Sequence, residues 1–378
     1  MDVFTPGPTV QQRLHQSSAI QHEDILRPDN DDNEGAEDQP HLFRVTRTDP
    51  VIEISSTSSG AGKSQLLYYL TAIAILPSAY DGIDIGGREA SVVFIDTDGR
   101  FDADRLRTVT QSILQQRFQQ PEDIEPNQVD LESILMASLH HVHIFRPQSS
   151  SSLLATLHSL VTYLLDTTRH HSSTRKLDSV IIDSASAFIW EDRLRDEVSR
   201  IEDIGRPSTE VEFEREQKQS FYLSDLYAEI SKELKELQRI FSCSIIYTTI
   251  LWSGKGNSSQ HPQSYHPSGP FDLYNPPVVS NKTPAFRSSL PPPWGTFPLL
   301  RLVVQRDSVR PFPPGMTVRE AEGDAGKRQE IVTQGKFSAW VNGWGREEWS
   351  RKMEDGVEKL NGGMFTFYSR KDGVYISS

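Results

Sequence analysis

From residue 51 to residue 249, short apolar runs alternate with longer stretches of helical periodicity. Val51-Ile52-Glu53-Ile54 reads as a strand, 55–62 as a small-residue loop, and 63–76 as a helix stopped by Pro77. A second apolar run, 90–96, ends in a carboxylate, as buried parallel strands often do. Residues 102–118 have the pattern of a helix with an acidic N-terminus. Then come a short strand at 141–145 and a helix at 153–165, for which the serines at 149–152 offer N-caps. Ser179-Val180-Ile181-Ile182-Asp183 is the most apolar strand. A long helix follows from about 217 to 240, with Phe221, Leu226, Ile230, Leu234 and Leu237 on one face. Residues 244–249 add one more strand. This order predicts an α/β core, its mostly parallel sheet covered on both faces and joined by right-handed crossovers.

The rhythm fails at both flanks. Residues 1–42 are polar and acidic, with Glu23, Asp24, Asp29, Asp31, Asp32, Glu34, Glu37 and Asp38, and read as a disordered tail. Residues 253–293 are rich in Ser, Pro, Gly and Asn and end in three prolines, which predicts a flexible insertion. Beyond it, 299–305 resumes as a strand, and 337–341, 365–368 and 373–376 are further strands around a charged helix at 346–360. The expected organisation is a tail at 1–42, a nucleotide-binding core at 43–252, the insertion at 253–293, and an antiparallel C-terminal addition at 294–378 that completes the core.

Charge narrows the function. The 378 residues carry a net charge of -13, so nucleic acid is not held by the overall field, and any contact with it is local or made by a partner. The start lacks the charged-then-apolar layout of a secretory signal, and no apolar run approaches the roughly 20 residues that span a bilayer. A soluble protein is expected. One cysteine, Cys243, cannot form an internal disulfide, in keeping with a reducing compartment.

Candidate chemistry is concentrated at Thr57-Ser58-Ser59-Gly60-Ala61-Gly62-Lys63-Ser64, which matches the P-loop pattern G-x-x-x-x-G-K-[ST] except at its first position. Ser59, Gly60, Ala61 and Gly62 are small enough for backbone N–H groups to curl around phosphate oxygens at the positive end of the next helix. Lys63 brings charge to the β and γ phosphates, and Ser64 a hydroxyl to Mg²⁺. Asp183, ending an apolar strand, is the expected support of that cation. ATP and Mg²⁺ are therefore the expected ligands. Asp98, just past the second strand, is the candidate that polarises an attacking water, and Asp96 is read as structural.

Other features read more plainly. His140, His141 and His143 lack the further ligands that complete a metal site. The acid-rich stretch 191–216 reads as a solvated helix or mobile loop, and Trp340, Trp344 and Trp349 as core or partner-facing residues.

Taken together, Ser59-Gly60-Ala61-Gly62-Lys63-Ser64-Gln65-Leu66-Leu67-Tyr68, Val93-Phe94-Ile95-Asp96-Thr97-Asp98 and Ile182-Asp183-Ser184-Ala185-Ser186-Ala187-Phe188-Ile189-Trp190 resemble the eukaryotic RecA-type recombinase paralogues. The likeness covers roughly 41–252. It implies a RecA-like P-loop fold and a nuclear protein of homologous recombination. The implied partners are other recombinase paralogues in a hetero-oligomeric complex, with single-stranded or junction DNA reached through it. ATP binding would then serve assembly more than turnover. Asp98 stands where the family's active members carry a glutamate, and its arm is one methylene shorter, which weakens hydrolysis. The family's polar γ-phosphate sensor after the strand at 244–249 is absent or replaced by Thr249. Three rival readings stay open: a working DNA-dependent ATPase, a small-molecule or nucleoside kinase with an arginine-rich lid, and a scaffold without nucleotide binding.

Overall fold

A computed structural model describes residues 50–118, 128–217, 221–251, 286–307, 312, 315–344, 349, 351–359 and 361–377. The tail expected at 1–42 and residues 253–285 of the expected insertion lie outside the described residues.

In chain order the elements are β1 (Val51–Ser56), α1 (Lys63–Ile75), β2 (Ala79–Tyr80), β3 (Ile83–Asp84), β4 (Ser91–Asp96), α2 (Ala103–Phe118) and α3 (Gln128–Leu139). Next come β5 (Val142–Phe145), α4 (Ser150–Leu165), β6 (Leu177–Asp183), α5 (Ile189–Glu202), α6 (Ser208–Glu216), α7 (Leu223–Phe241) and β7 (Ser244–Ile250). The chain ends with β8 (Leu300–Arg306), α8 (Val318–Gln334), β9 (Lys336–Val341), α9 (Arg351–Lys359), β10 (Met364–Ser369) and β11 (Val374–Ser377).

One nine-stranded sheet runs β11-β10-β9-β8-β1-β7-β6-β4-β5. From β8 to β5 every pairing is parallel, and β9, β10 and β11 add on antiparallel. This is the mostly parallel α/β core with a C-terminal antiparallel addition that the alternation predicts, and it fits the RecA-like fold that the resemblance implies. Side chains alternate across the sheet because the strand repeat is two residues. Val92 and Phe94 of β4 therefore pack with Leu67, Ile75 and Ile113, on the side of α1 and α2. Val93 and Ile95 pack on the opposite side with Leu157, Ile230 and Leu234 of α4 and α7. Each such side chain taken fully out of water contributes about 1.5–3 kcal/mol.

Local signals fix the helix starts. Asp102 accepts the backbone N–H of Arg105 at 3.0 Å ahead of α2, and Ser149 accepts that of Ser152 at 3.1 Å ahead of α4. The acidic stretch 191–216 resolves into the helices α5 and α6. Helix α8 does not follow from periodicity, because none of its residues is buried and it carries no apolar stripe. It is held instead at its ends, by a Thr317–Glu320 capping box and by Gly335 in the left-handed region at φ 59°. A Cβ at Gly335 would lie 2.2 Å from the Ser369 carbonyl oxygen.

Residues 286–297, at the end of the expected insertion, are packed: Leu290 and Trp294 are buried, and Trp294 meets Tyr227 and Tyr247 edge-on. Beside them lies a buried ion pair. Arg301 donates to Glu53 at 3.1 Å and to the Gly295 carbonyl at 2.7 Å, and its guanidinium covers the Trp344 ring. Thr249 and Ser288 also donate to Glu53. Among the described residues, no helix is long and apolar enough to cross a membrane.

Candidate nucleotide-binding site

The C-terminal ends of β1, β4, β6 and β7 meet at one edge of the sheet, where open α/β sheets bind ligands. β1 ends at Ser56, and the chain turns through residues 57–62 into α1. Gly60 and Gly62 make that turn with φ 74° and 93°, a region costly for any residue with a Cβ. Gly62 also sits against the C-terminal addition, where a Cβ would lie 2.6 Å from the Phe337 ring. That ring is itself stacked on Phe367 at 5.1 Å. The antiparallel strands thus brace the loop, a dependence invisible in the motif. Gly62→Ala is expected to lose about 1–3 kcal/mol of stability from strain and overpacking, read from the denaturant midpoint.

Lys63 is the first residue of α1 and is buried. Its ammonium donates to Ser56 Oγ at 2.6 Å, which curls the side chain back over the loop. Burial pulls its pKa below the ordinary lysine range, against the pull of Asp183 and Asp98. Ser64 donates its hydroxyl to Asp183 Oδ2 at 2.6 Å, joining the start of α1 to the end of β6. Asp183 takes a second hydroxyl, from Thr248 of β7. The Asp183–Ser184 peptide bond is cis.

Asp98 and Asp96 part company. Asp96 is buried and fully occupied: it accepts the N–H groups of Arg100 and Phe101 at 2.9 and 3.0 Å and pairs with Arg146 at 3.1 Å. Its work is to shape the turn after β4. Asp98 lies at the rim of the site with one side open to solvent. Partial burial pushes its carboxyl above the usual range, the neighbouring Asp183 adds to this, and Lys63 opposes it. Such a shift moves a carboxyl towards the range useful to a general base.

Thr249 is not at this site. Its hydroxyl donates to buried Glu53 at 2.8 Å, within the network of Arg301. Thr248, the neighbour on the opposite face of β7, is the hydroxyl that reaches Asp183. The period-2 alternation of a strand decides between them, and the sequence alone does not say which face is which.

A phosphate and a divalent cation fit these residues. No side chain caps the N-terminus of α1, so its first N–H groups have no side-chain acceptor there. Two carboxylates, Asp98 and Asp183, face Lys63, while the nearby Asp96 is already paired with Arg146. The acid excess favours a cation. Because Asp183 holds the Ser64 proton, an oxygen lone pair on Ser64 stays available to a metal, with Asp183 as the outer-shell support.

The histidines lie elsewhere. His143 meets Tyr163 at 3.0 Å and Ser172 at 2.9 Å, and His141 also meets Ser172 at 2.9 Å. Among the described residues, no three or more His, Cys, Asp or Glu side chains gather into a metal-binding group, the histidines included. A cavity of about 740 Å³, lined by Arg88, His140, His141, Arg175 and Lys176 among others, opens where β4, β5 and β6 begin, at the opposite edge from the P-loop. Burial holds His141 and His143 down to about 4, from 6.5. The unfolded chain therefore takes up these protons first, and their contribution is complete above pH 6.5 and lost as pH falls through about 4. Urea titrations between those limits should find stability falling with acidification, and less steeply in His143→Gln.

Comparison with known proteins places the chain. Over 135 residues it is 37% identical to mouse DNA repair protein XRCC2, a match covering 36% of this chain and 40% of the mouse protein. The Arabidopsis XRCC2 homologue is 26% identical over 289 residues, covering 71% of this chain and 72% of that protein. In sequence the chain is similar to XRCC2, and its sheet order is that of a RecA-like core. Mouse RAD51 homologue 2 is also similar, at 28% over 130 residues, which is 34% of this chain and 30% of that protein. No family model matches the chain.

Proposed function

We propose that this XRCC2-like chain is an accessory recombinase paralogue of DNA double-strand break repair by homologous recombination. It binds Mg²⁺-ATP with weak or no hydrolysis and works in the nucleus, within a complex of paralogues that assists the strand-exchange recombinase. The observation that carries the reading is the joining of Ser64 to Asp183 beside Lys63, in a chain similar to proteins named for DNA repair.

Residues of this chain divide the work. The N–H groups of 59–64 and the Lys63 ammonium hold the phosphates, and the positive end of α1 adds to the field. Ser64 and Asp183 hold the magnesium ion, which neutralises phosphate charge when bound. Thr248 fixes the orientation of Asp183. Asp98 is the one carboxylate at the rim left to orient a water, and its short arm supports slow turnover. A kinase reading is disfavoured: four of the five arginines of 191–216 are bound in ion pairs, among them Arg195–Glu191, Arg200–Asp196 and Arg206–Glu214. They are not a mobile lid.

Cells lacking the chain should become sensitive to agents that break both DNA strands. Wild type and Asp98→Ala should restore resistance, whereas Lys63→Ala should not. Full resistance with Lys63→Ala would separate repair from nucleotide binding. Failure of Asp98→Ala alone would make turnover essential and favour the working ATPase.

Asp183→Asn keeps an oxygen for Ser64 but removes one negative charge near the metal. It should weaken the Mg²⁺ dependence of ATP binding by about tenfold, roughly 1.4 kcal/mol, in titrations with fluorescent ATP at varied Mg²⁺.

A further inference from the structure

A surface helix ordinarily buries its apolar stripe and shows polar residues to water. Helix α5 does the reverse. Its buried positions are Ile189, Asp192 and Asp196. On the outside stand Trp190, Leu194, Val198 and Ile201, with 63%, 61%, 46% and 66% of their surfaces exposed. Their spacings of four, four and three residues form one stripe along the helix.

The inversion is anchored. Ser150 at the start of α4 donates its hydroxyl to Asp192, and Asp196 accepts the Leu223 N–H at the start of α7 at 3.0 Å. Turning α5 to bury the stripe would break both bonds and leave two carboxylates without them. Ile204, just past the helix, and Phe213 on α6 are exposed as well, at 77% and 59%. An apolar stripe left open along one helix face marks an interaction site.

Charge selects the occupant. Residues 189–216 hold ten acidic residues and five arginines, a difference of -5. Four of those arginines are already paired, with Glu191, Asp196, Glu210 and Asp225 among their partners. A second copy would set this acidic rim against its like, and nucleic acid or an anionic membrane would be repelled by it.

We propose that the outward face of α5 is a docking surface for a partner protein's amphipathic helix, one with an apolar stripe flanked by lysines or arginines. This stands on the setting of α5 and is independent of what the P-loop binds.

The test uses the full chain and two labelled synthetic helices with the same leucine stripe, one flanked by lysines and one by glutamates. Fluorescence anisotropy is read for wild type, Leu194→Glu and Ile201→Glu. The lysine-flanked helix should bind wild type at least about tenfold tighter than the glutamate-flanked one, and lose about tenfold or more in either variant. Unfolding midpoints of the variants should match wild type, since both side chains point to solvent. Equal binding of the two helices, or binding unaffected by the substitutions, would overturn the proposal. So would a fall in the midpoint, which would mean that the stripe packs within its own chain. A concentration-dependent dimer in sedimentation, abolished by Leu194→Glu, would replace the partner with a second copy.

Discussion

Lys63→Ala should lose Mg²⁺-ATP binding by on the order of 100-fold or more, about 3 kcal/mol, the upper range for hydrogen bonds to a charged group. The lysine is buried where the loop enters α1, is held by Ser56, and faces Asp183 and Asp98. Burial disfavours its charge, and a bound phosphate offsets this. Its removal deletes an attraction that the backbone N–H groups cannot replace. Lys63→Arg should recover only part of the loss, because a planar fork does not occupy the place of a compact ammonium. Isothermal titration with ATP and Mg²⁺ reads both. Affinity unchanged in Lys63→Ala would mean that nucleotide is held elsewhere.

Arg301→Met carries the largest expected cost in stability, about 3–5 kcal/mol, because it strands the buried Glu53. The pair lies across β1 and β8, beneath residues 286–297 and the Trp344 ring. Burial already raises the Glu53 carboxyl above its usual range, against the lowering effects of Thr249, Arg301 and Ser288. Without the guanidinium it rises further. A raised carboxyl contributes stability that is present below its unfolded value of 4.5 and is lost as pH rises through the folded value. The gap between variant and wild type should therefore narrow as pH is lowered from 8 to 5, relative to each protein's own baseline. The acid loss caused by His141 and His143 is common to both and cancels in the difference. Chemical denaturation at each pH measures it. A gap that widens on acidification would contradict this account of Glu53.

How much of this was legible in the sequence depends on what kind of signal each part leaves. The strands β1, β4, β6 and β7 and the helices α1, α2, α4 and α7 each bury one face or both, so their periodicity is plain. The cap residues Asp102 and Ser149 sit where side-chain chemistry predicts. Helix α8 has no fully buried residue and left no apolar pattern to read. At the site, Ser64 meets Asp183 and Lys63 lies beside them, with Asp98 at the rim.

What sequence reasoning missed came from elements far apart along the chain. Thr248 and Thr249 differ only in which face of β7 they occupy. Phe337 touches the loop at Gly62 across more than two hundred residues of chain. Glu53 reads as an anomaly in an apolar strand, and its partner Arg301 lies on β8. An acidic residue inside an apolar run was the available clue, since burial of a lone carboxylate demands a cation or a shared proton. The outward stripe of α5 was hidden by its charge density, because a segment with ten acids and five arginines reads as solvated whichever way its apolar residues point.

The measurement that bears most directly on the central claim is a titration of the full chain with fluorescent ATP and Mg²⁺, with phosphate release followed in the same sample. The account predicts saturable binding that needs Mg²⁺ and Lys63, and phosphate release close to the uncatalysed rate. Absence of binding, or vigorous turnover dependent on Asp98, would contradict it.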